Sequence, residues 1–237
     1  MSDLQVLPDP EALAQHAASW IVEQAEASSG RFAWNLSGGS TPKRLYQLLA
    51  APPFRERMPW SRVHVFWGDE RFVPHDHPES NFRMTREAML EHVPIPAANI
   101  HPIAGEGDPD DAAGAYEATL KRFYGADALD AARPLFDVTL LGLGDDGHTA
   151  SLIPGTSALG EQRAWVTAVR GGRPEVRITM TYPVLDSSRV VAFLVAGDAK
   201  RTMLARVRSG DRSLPAGRIA PVGSLLFLAD QAAAGSA

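Results

Sequence analysis

A chain of 237 residues, 45% hydrophobic and 22% charged with 20 Gly and 18 Pro, has the makeup of a globular protein long enough to bury its own core. The formal charge of −5 argues against a general nucleic-acid or acidic-membrane binder, so an anionic ligand must be held by a few local cations and backbone N–H groups. With no cysteine there is no disulfide, thiolate nucleophile or Cys-ligated zinc, and no apolar run approaches the roughly 20 residues that span a bilayer.

The start, "MSDLQVLPDPEALAQHA", has no basic stretch followed by an apolar one, so a signal peptide is not expected. Residues 10–27 have helical spacing. "RFAWNL" (31–36) predicts a strand and "TPKRLYQLLA" (41–50) a helix, with Thr41 as N-cap and Pro42 at its first position. "RVHVFWG" (62–68) is strand-like, and "SNFRMTREAMLEHV" (80–93) is helical. A Pro/Gly loop leads to a helix at about 111–124 and the strand "FDVTLLGLG" (136–144). Strands are expected at 164–170, 176–181 and 189–197, a helix at 198–210, and a closing helix near 224–234. The tail "AAAGSA" (232–237) is expected to fray. Short apolar runs alternating with amphipathic helices predict an α/β fold around a largely parallel sheet.

Four polar, glycine-containing stretches directly follow predicted strands: "SGGST", "GDER", "GLGDDGH" and "AGDAK". Open α/β sheets bind ligands beyond the carboxyl ends of their strands, so these four stretches are expected to meet on one rim.

In the third, Gly142, Gly144 and Gly147 spell the G-x-G-x-x-G of dinucleotide sites. Asp145 and Asp146 are the wrong charge beside a pyrophosphate, and Pro154 and Gly155 cut short any following helix. The glycines instead permit a tight path that exposes Asp146 and His148. An unperturbed imidazole titrates near about pH 6.5, which makes His148 the candidate general base. Asp146 either fixes the imidazole or only shapes the turn.

Gly38, Gly39, Ser40 and Thr41 precede a helix whose N-terminal N–H groups suit a phosphate. Asp69, Glu70 and Arg71 stand at a strand end, where a carboxylate–arginine pair can orient hydroxyls and an anion. His75 and His77 lie between Pro74 and Pro78 and read as a solvated turn, not as metal ligands. Lys200 falls in the first turn of a predicted helix, an unfavourable place for a cation unless an anion is near. Arg177 is a further cation of the same rim.

These segments resemble the 6-phosphogluconolactonase family. The similarity runs in order through "LSGGSTP", "WGDERFVPHDHPESN", "LGLGDDGHTASLIPG", "RITMTYPVLDSSR" and "LVAGDAKR", across most of the chain. It implies a single domain over residues 1–237. The implied fold is a Rossmann-like open, mostly parallel sheet flanked by helices, of the glucosamine-6-phosphate deaminase and ribose-5-phosphate isomerase type. It further implies a cytoplasmic, monomeric hydrolase of 6-phosphoglucono-1,5-lactone with no cofactor or metal and no nucleic-acid or membrane partner. By motif position, His148 would be the base, with Asp69 and Arg71 in the active site. Gly38, Gly39, Ser40, Thr41, Arg177 and Lys200 would hold the phosphate, and Arg173 and Arg201 lie close enough to replace Arg177.

Glucosamine-6-phosphate deaminases share the first loop. They carry a glutamate five residues after the histidine, where this chain has Ile153, and "DEY" in place of "DER". An isoleucine cannot shuttle the protons of sugar-ring opening, which favours the lactonase. Phe227 stands where the lactonases would have tryptophan, a packing change.

Overall fold

Apolar runs too short for helices pair into a sheet, and the segments of helical spacing carry the chain back between them. A computed structural model describes residues 3–235. In chain order the elements are β1 (Asp3–Leu7), α1 (Pro10–Ala27), β2 (Phe32–Leu36), α2 (Ser40–Leu49), α3 (Phe54–Arg57), β3 (Val63–Trp67), β4 (Asp69–Arg71) and α4 (Asn81–Ala88). There follow β5 (Ile100–His101), α5 (Pro109–Tyr124), β6 (Phe136–Leu141), β7 (Val166–Val169), β8 (Arg177–Met180), α6 (Tyr182–Asp186), β9 (Ser188–Val195), α7 (Arg201–Arg208), β10 (Ser224–Asp230) and α8 (Gln231–Ala234).

The larger sheet has the order β1-β10-β9-β6-β2-β3-β5, with every neighbouring pair parallel. All five residues of β2 are buried, as expected of a strand covered on both faces. From β2 the chain steps to β3 and β5 in one direction, then returns to place β6, β9 and β10 on the other side. The order therefore reverses between β2 and β6, and the crevice beyond their carboxyl ends is where such sheets seat a ligand. "SGGST" and "GLGDDGH" leave those two strands.

Local chemistry sets the helix starts. Asp9 caps α1 by accepting from the Ala12 N–H at 2.8 Å, with Pro10 following. Asp108 does the same for α5, which begins at Pro109, slightly earlier than the periodicity predicts. The N-cap of α2 is Gly39, at φ 111°, and not Thr41; Pro42 lies inside the first turn. A glycine reaches that φ without a side-chain penalty.

Several expectations need correction. Residues 224–230 form the strand β10 and only 231–234 are helical: the apolar run of Leu225–Leu228 is claimed by pairing between β1 and β9, with Phe227 stacked on Phe193 at 5.1 Å. A short apolar run fits either element by periodicity alone. Of the tail 232–237, residues up to Ala234 belong to α8, with Ala233 buried, and 236 and 237 lie outside the described residues. The segment 198–210 opens as a 3-10 turn before α7. The strand β1 was not anticipated, nor was the small antiparallel sheet β4-β8-β7, which draws "DER" into a strand. No helix among the described residues is long and apolar enough to cross a membrane.

At the sheet edge, His101 stacks on Phe66 at 4.4 Å and lies 3.3 Å from the His64 ring nitrogen. Burial, then the neighbouring His64, pushes its pKa down to about 4. The unfolded chain, with an imidazole near 6.5, binds more protons over this range, so stability is lost as pH falls from about 6.5 toward 4. His101→Phe is expected to flatten that decline. Urea midpoints measured across the window test this, and parallel curves for the two proteins would contradict it.

Candidate active site

Beyond β2, β3, β6 and β9 lies an open cavity of about 230 Å3. Its lining includes Gly38, Gly39, Asp69, Arg71, His148, Arg177 and Lys200, together with Ser37, Asn81, Gly142, Gly144, Thr149 and Ala150. Three cations against one carboxylate make this a local basic spot on an acidic protein. The four strand-end stretches thus each contribute to one hollow.

His148 is held by its own loop. Its backbone carbonyl accepts from the Gly144 N–H at 2.9 Å, and the Gly147 N–H donates to the Gly144 carbonyl at 3.0 Å. Gly147 sits at φ 79°, and a Cβ there would come within 2.7 Å of Leu214. Gly144 is needed for another reason: a Cβ on it would lie 1.9 Å from the His148 Nδ1, because the imidazole rests directly over that residue. The N–H groups of Gly144 and Gly147 are therefore spent inside the loop.

Asp146 fixes the ring. Its Oδ1 accepts from the His148 Nδ1–H at 2.5 Å and from the His148 backbone N–H at 3.1 Å. An ionised carboxylate only accepts, so the proton belongs on Nδ1, and the lone pair is on Nε2. Nε2 has no hydrogen-bond partner among the described residues. Burial disfavours the charged form of Asp146, but bonds from Arg173 and His148 outweigh it and hold the carboxyl well below its usual range.

Asp69 is 8% exposed, and its Oδ2 accepts from the Ser151 hydroxyl at 2.5 Å. Glu70 points the other way. Its two oxygens accept from the N–H groups of Arg71 (2.8 Å), Asn81 (2.7 Å) and Phe82 (2.7 Å) and from the Ser80 hydroxyl (3.1 Å). Burial pushes its pKa up against those bonds. Glu70 thereby ties the start of α4 to β4 and brings Asn81 over Gly38, where a Cβ would be 2.0 Å from the Asn81 Oδ1. Arg71 donates through Nη1 to the Glu79 carbonyl at 2.7 Å, while its buried Nε has no partner.

The expected phosphate ligands separate. Lys200 reaches the rim and bonds Asp145. Arg177 lines the cavity but is already bonded to Glu175. Arg201 pairs with Asp198, and Arg173 bonds Asp146; neither lines the cavity. Ser40 and Thr41 do not line it either: they face an adjoining hollow with Asp9, Glu11, Arg44 and Gly197. The N-cap of α2 lies two residues earlier than expected, so Ser40 and Thr41 fall in its first turn. His75 Nε2 bonds the Ile103 carbonyl at 2.7 Å, and His77 Nδ1 accepts from the Glu79 N–H at 3.2 Å. Among the described residues no group of three or more His, Asp or Glu is placed to hold a metal.

Asn81, Ser151, Thr149 and Ala150 escaped sequence reasoning. Ala150 adopts φ 47°, rare for a residue with a Cβ, and no composition signal marks it. Asn81 reaches the site through Glu70, eleven residues away.

Comparison with known proteins is consistent across sequence and structure. The family described as "Glucosamine-6-phosphate isomerases/6-phosphogluconolactonase" matches residues 8–227. A 6-phosphogluconolactonase of Nostoc sp. is 43% identical, over 97% of this chain and 96% of its own. The solved 6-phosphogluconolactonase of Trypanosoma brucei superposes with a TM-score of 0.83 at 30% identity, covering 99% of this chain and 98% of that one. A monomeric glucosamine-6-phosphate deaminase shares the fold at a TM-score of 0.82 but is 20% identical, with 98% of each chain covered.

Proposed function

Because the chain belongs to the glucosamine-6-phosphate isomerase/6-phosphogluconolactonase family, we propose that it hydrolyses 6-phospho-D-glucono-1,5-lactone to 6-phospho-D-gluconate, the lactonase step of the oxidative pentose phosphate pathway, with His148 as the base. It is an ester hydrolase. The observation that carries the choice of base is the unpartnered Nε2 of His148, in a ring oriented by Asp146 and opening on a cavity that also holds Arg71, Arg177 and Lys200.

Water attacks the lactone C1 while Nε2 takes its proton, so the carbonyl oxygen carries the developing negative charge. Collapse breaks the bond from C1 to the ring oxygen, and the same proton passes to that oxygen as it leaves. Asp146 supports the transient imidazolium, the orienting role of the carboxylate in hydrolytic triads. Arg71 is the candidate for the oxyanion, since its side chain lines the cavity and the N–H groups of Gly144 and Gly147 are engaged. Asp69, fixed by Ser151, is placed to receive a sugar hydroxyl. Lys200 and the backbone at Gly38 and Gly39 take the phosphate, which supplies orientation from a distance.

Ile153 is 1% exposed in the core, at the position where the deaminases have their glutamate, so nothing there supplies the second proton shuttle. Purified protein offered fresh lactone and glucosamine 6-phosphate separates the readings. Release of 6-phosphogluconate above the spontaneous rate without ammonia supports the lactonase; ammonia, or binding without turnover, contradicts it. Lys200→Ala should raise KM about tenfold or more with kcat little changed; a loss in kcat alone would count against the phosphate assignment.

The chain reads as one domain, since buried apolar residues from Leu13 to Ala233 join in a single cluster. The same reading has the protein act as a monomer. A phosphorylated sugar does not diffuse across membranes, and this reading places the enzyme in the cytoplasm.

A further inference from the structure

We infer that Arg173, which lies outside the cavity, is a positioning residue for the Asp146–His148 pair and not a phosphate ligand. The inference rests on the reading of His148 as base.

Arg173 stands on the turn between β7 and β8, behind two glycines at φ 84° and 73°, Gly171 and Gly172. A Cβ on Gly172 would come within 2.7 Å of Ile153 Cγ2, so the turn is seated directly on the buried residue five positions after His148. The guanidinium is braced at both ends. Nη1 donates to the Gly172 carbonyl at 2.7 Å, and Nη2 donates to the Asp146 Oδ2 at 2.8 Å. His148 and Arg173 thus hold opposite oxygens of one carboxylate.

Nη2 also lies 3.1 Å from the His148 Nδ1. Nδ1 already gives its proton to Asp146, so two donors face each other and no bond joins them. The other charges around the pair are otherwise placed: Lys200 is bonded to Asp145, Arg177 to Glu175, and Arg71 and Asp69 line the cavity. Arg173 therefore stops the Asp146 carboxylate from swinging, which keeps Nε2 aimed outward.

Steady-state hydrolysis measured for Arg173→Ala, Arg173→Lys and His148→Gln tests this. Arg173→Ala is expected to lower kcat about tenfold and leave KM within about twofold. Arg173→Lys, which restores a donor to the Asp146 carboxylate, should recover most of the lost kcat. A rise in KM at unchanged kcat would make Arg173 a phosphate ligand and overturn the inference. A loss of kcat that Arg173→Lys does not recover would leave it a merely structural residue and overturn it equally. His148→Gln separates the two levels: full activity there removes the base assignment itself, whereas an inactive His148→Gln beside an unaltered Arg173→Ala removes only the role of Arg173.

Discussion

Lactone hydrolysis by a His148→Gln protein is expected to fall about 10²- to 10⁴-fold in kcat with KM close to wild type, the usual reach of a lost general base. The size follows from the geometry. Only one nitrogen of the ring is free, the other being fixed to Asp146 at 2.5 Å, and no second neutral base lines the cavity. Glutamine preserves the bulk of the side chain and its chance of bonding Asp146, but it cannot take a proton from water. Because the lactone also opens spontaneously, the rate of 6-phosphogluconate formation must be corrected for the enzyme-free reaction. A kcat within about twofold of wild type would remove His148 from the chemistry.

Gly144→Ala should be nearly as damaging, and for a reason confined to space. The added methyl would occupy a point 1.9 Å from Nδ1 and 2.1 Å from Cε1 of His148. The imidazole is the side chain that can give way, and when it swings aside it leaves Asp146 and the cavity. Displacement of a reacting group by about 1 Å costs on the order of a hundredfold in rate. Gly144 does not sit in the left-handed region, so alanine brings no backbone strain, and stability should stay within about 1 kcal/mol of wild type. Unfolding and kcat measured on one preparation decide the matter. Loss of activity with stability retained is the expected pair; full activity would mean that the ring does not work from the position it occupies over Gly144.

That contact also explains the motif that resembles a dinucleotide fingerprint. Gly144 makes room for an imidazole, and Gly147 supplies a φ of 79° beside Leu214. Two of its three glycines thus serve the histidine and its turn.

The rim was legible because it follows from topology. Polar turns after "RFAWNL", "RVHVFWG", "FDVTLLGLG" and "RVVAFLVAG" must lie at one end of a parallel sheet, and their residues do meet. What escaped depends on side-chain direction and long-range pairing. Thr41 looks like an N-cap in sequence, yet Gly39 takes that position at φ 111° and Ser40 and Thr41 turn to another hollow. Arg173, Arg177 and Arg201 are equivalent cations on paper; Asp146, Glu175 and Asp198 sort them only once the turns are folded. The run at Leu225–Leu228 fits helix or strand by periodicity alone, and pairing with β1 and β9 decides it.

A crystal structure with 6-phosphogluconate bound tests most directly whether one cavity holds both ends of the substrate. The phosphate should lie between Lys200 and the Gly38–Gly39 backbone, with the C1 carboxylate against the His148 Nε2. A product bound with its phosphate at His148, or outside this cavity altogether, would contradict the assignment of both groups.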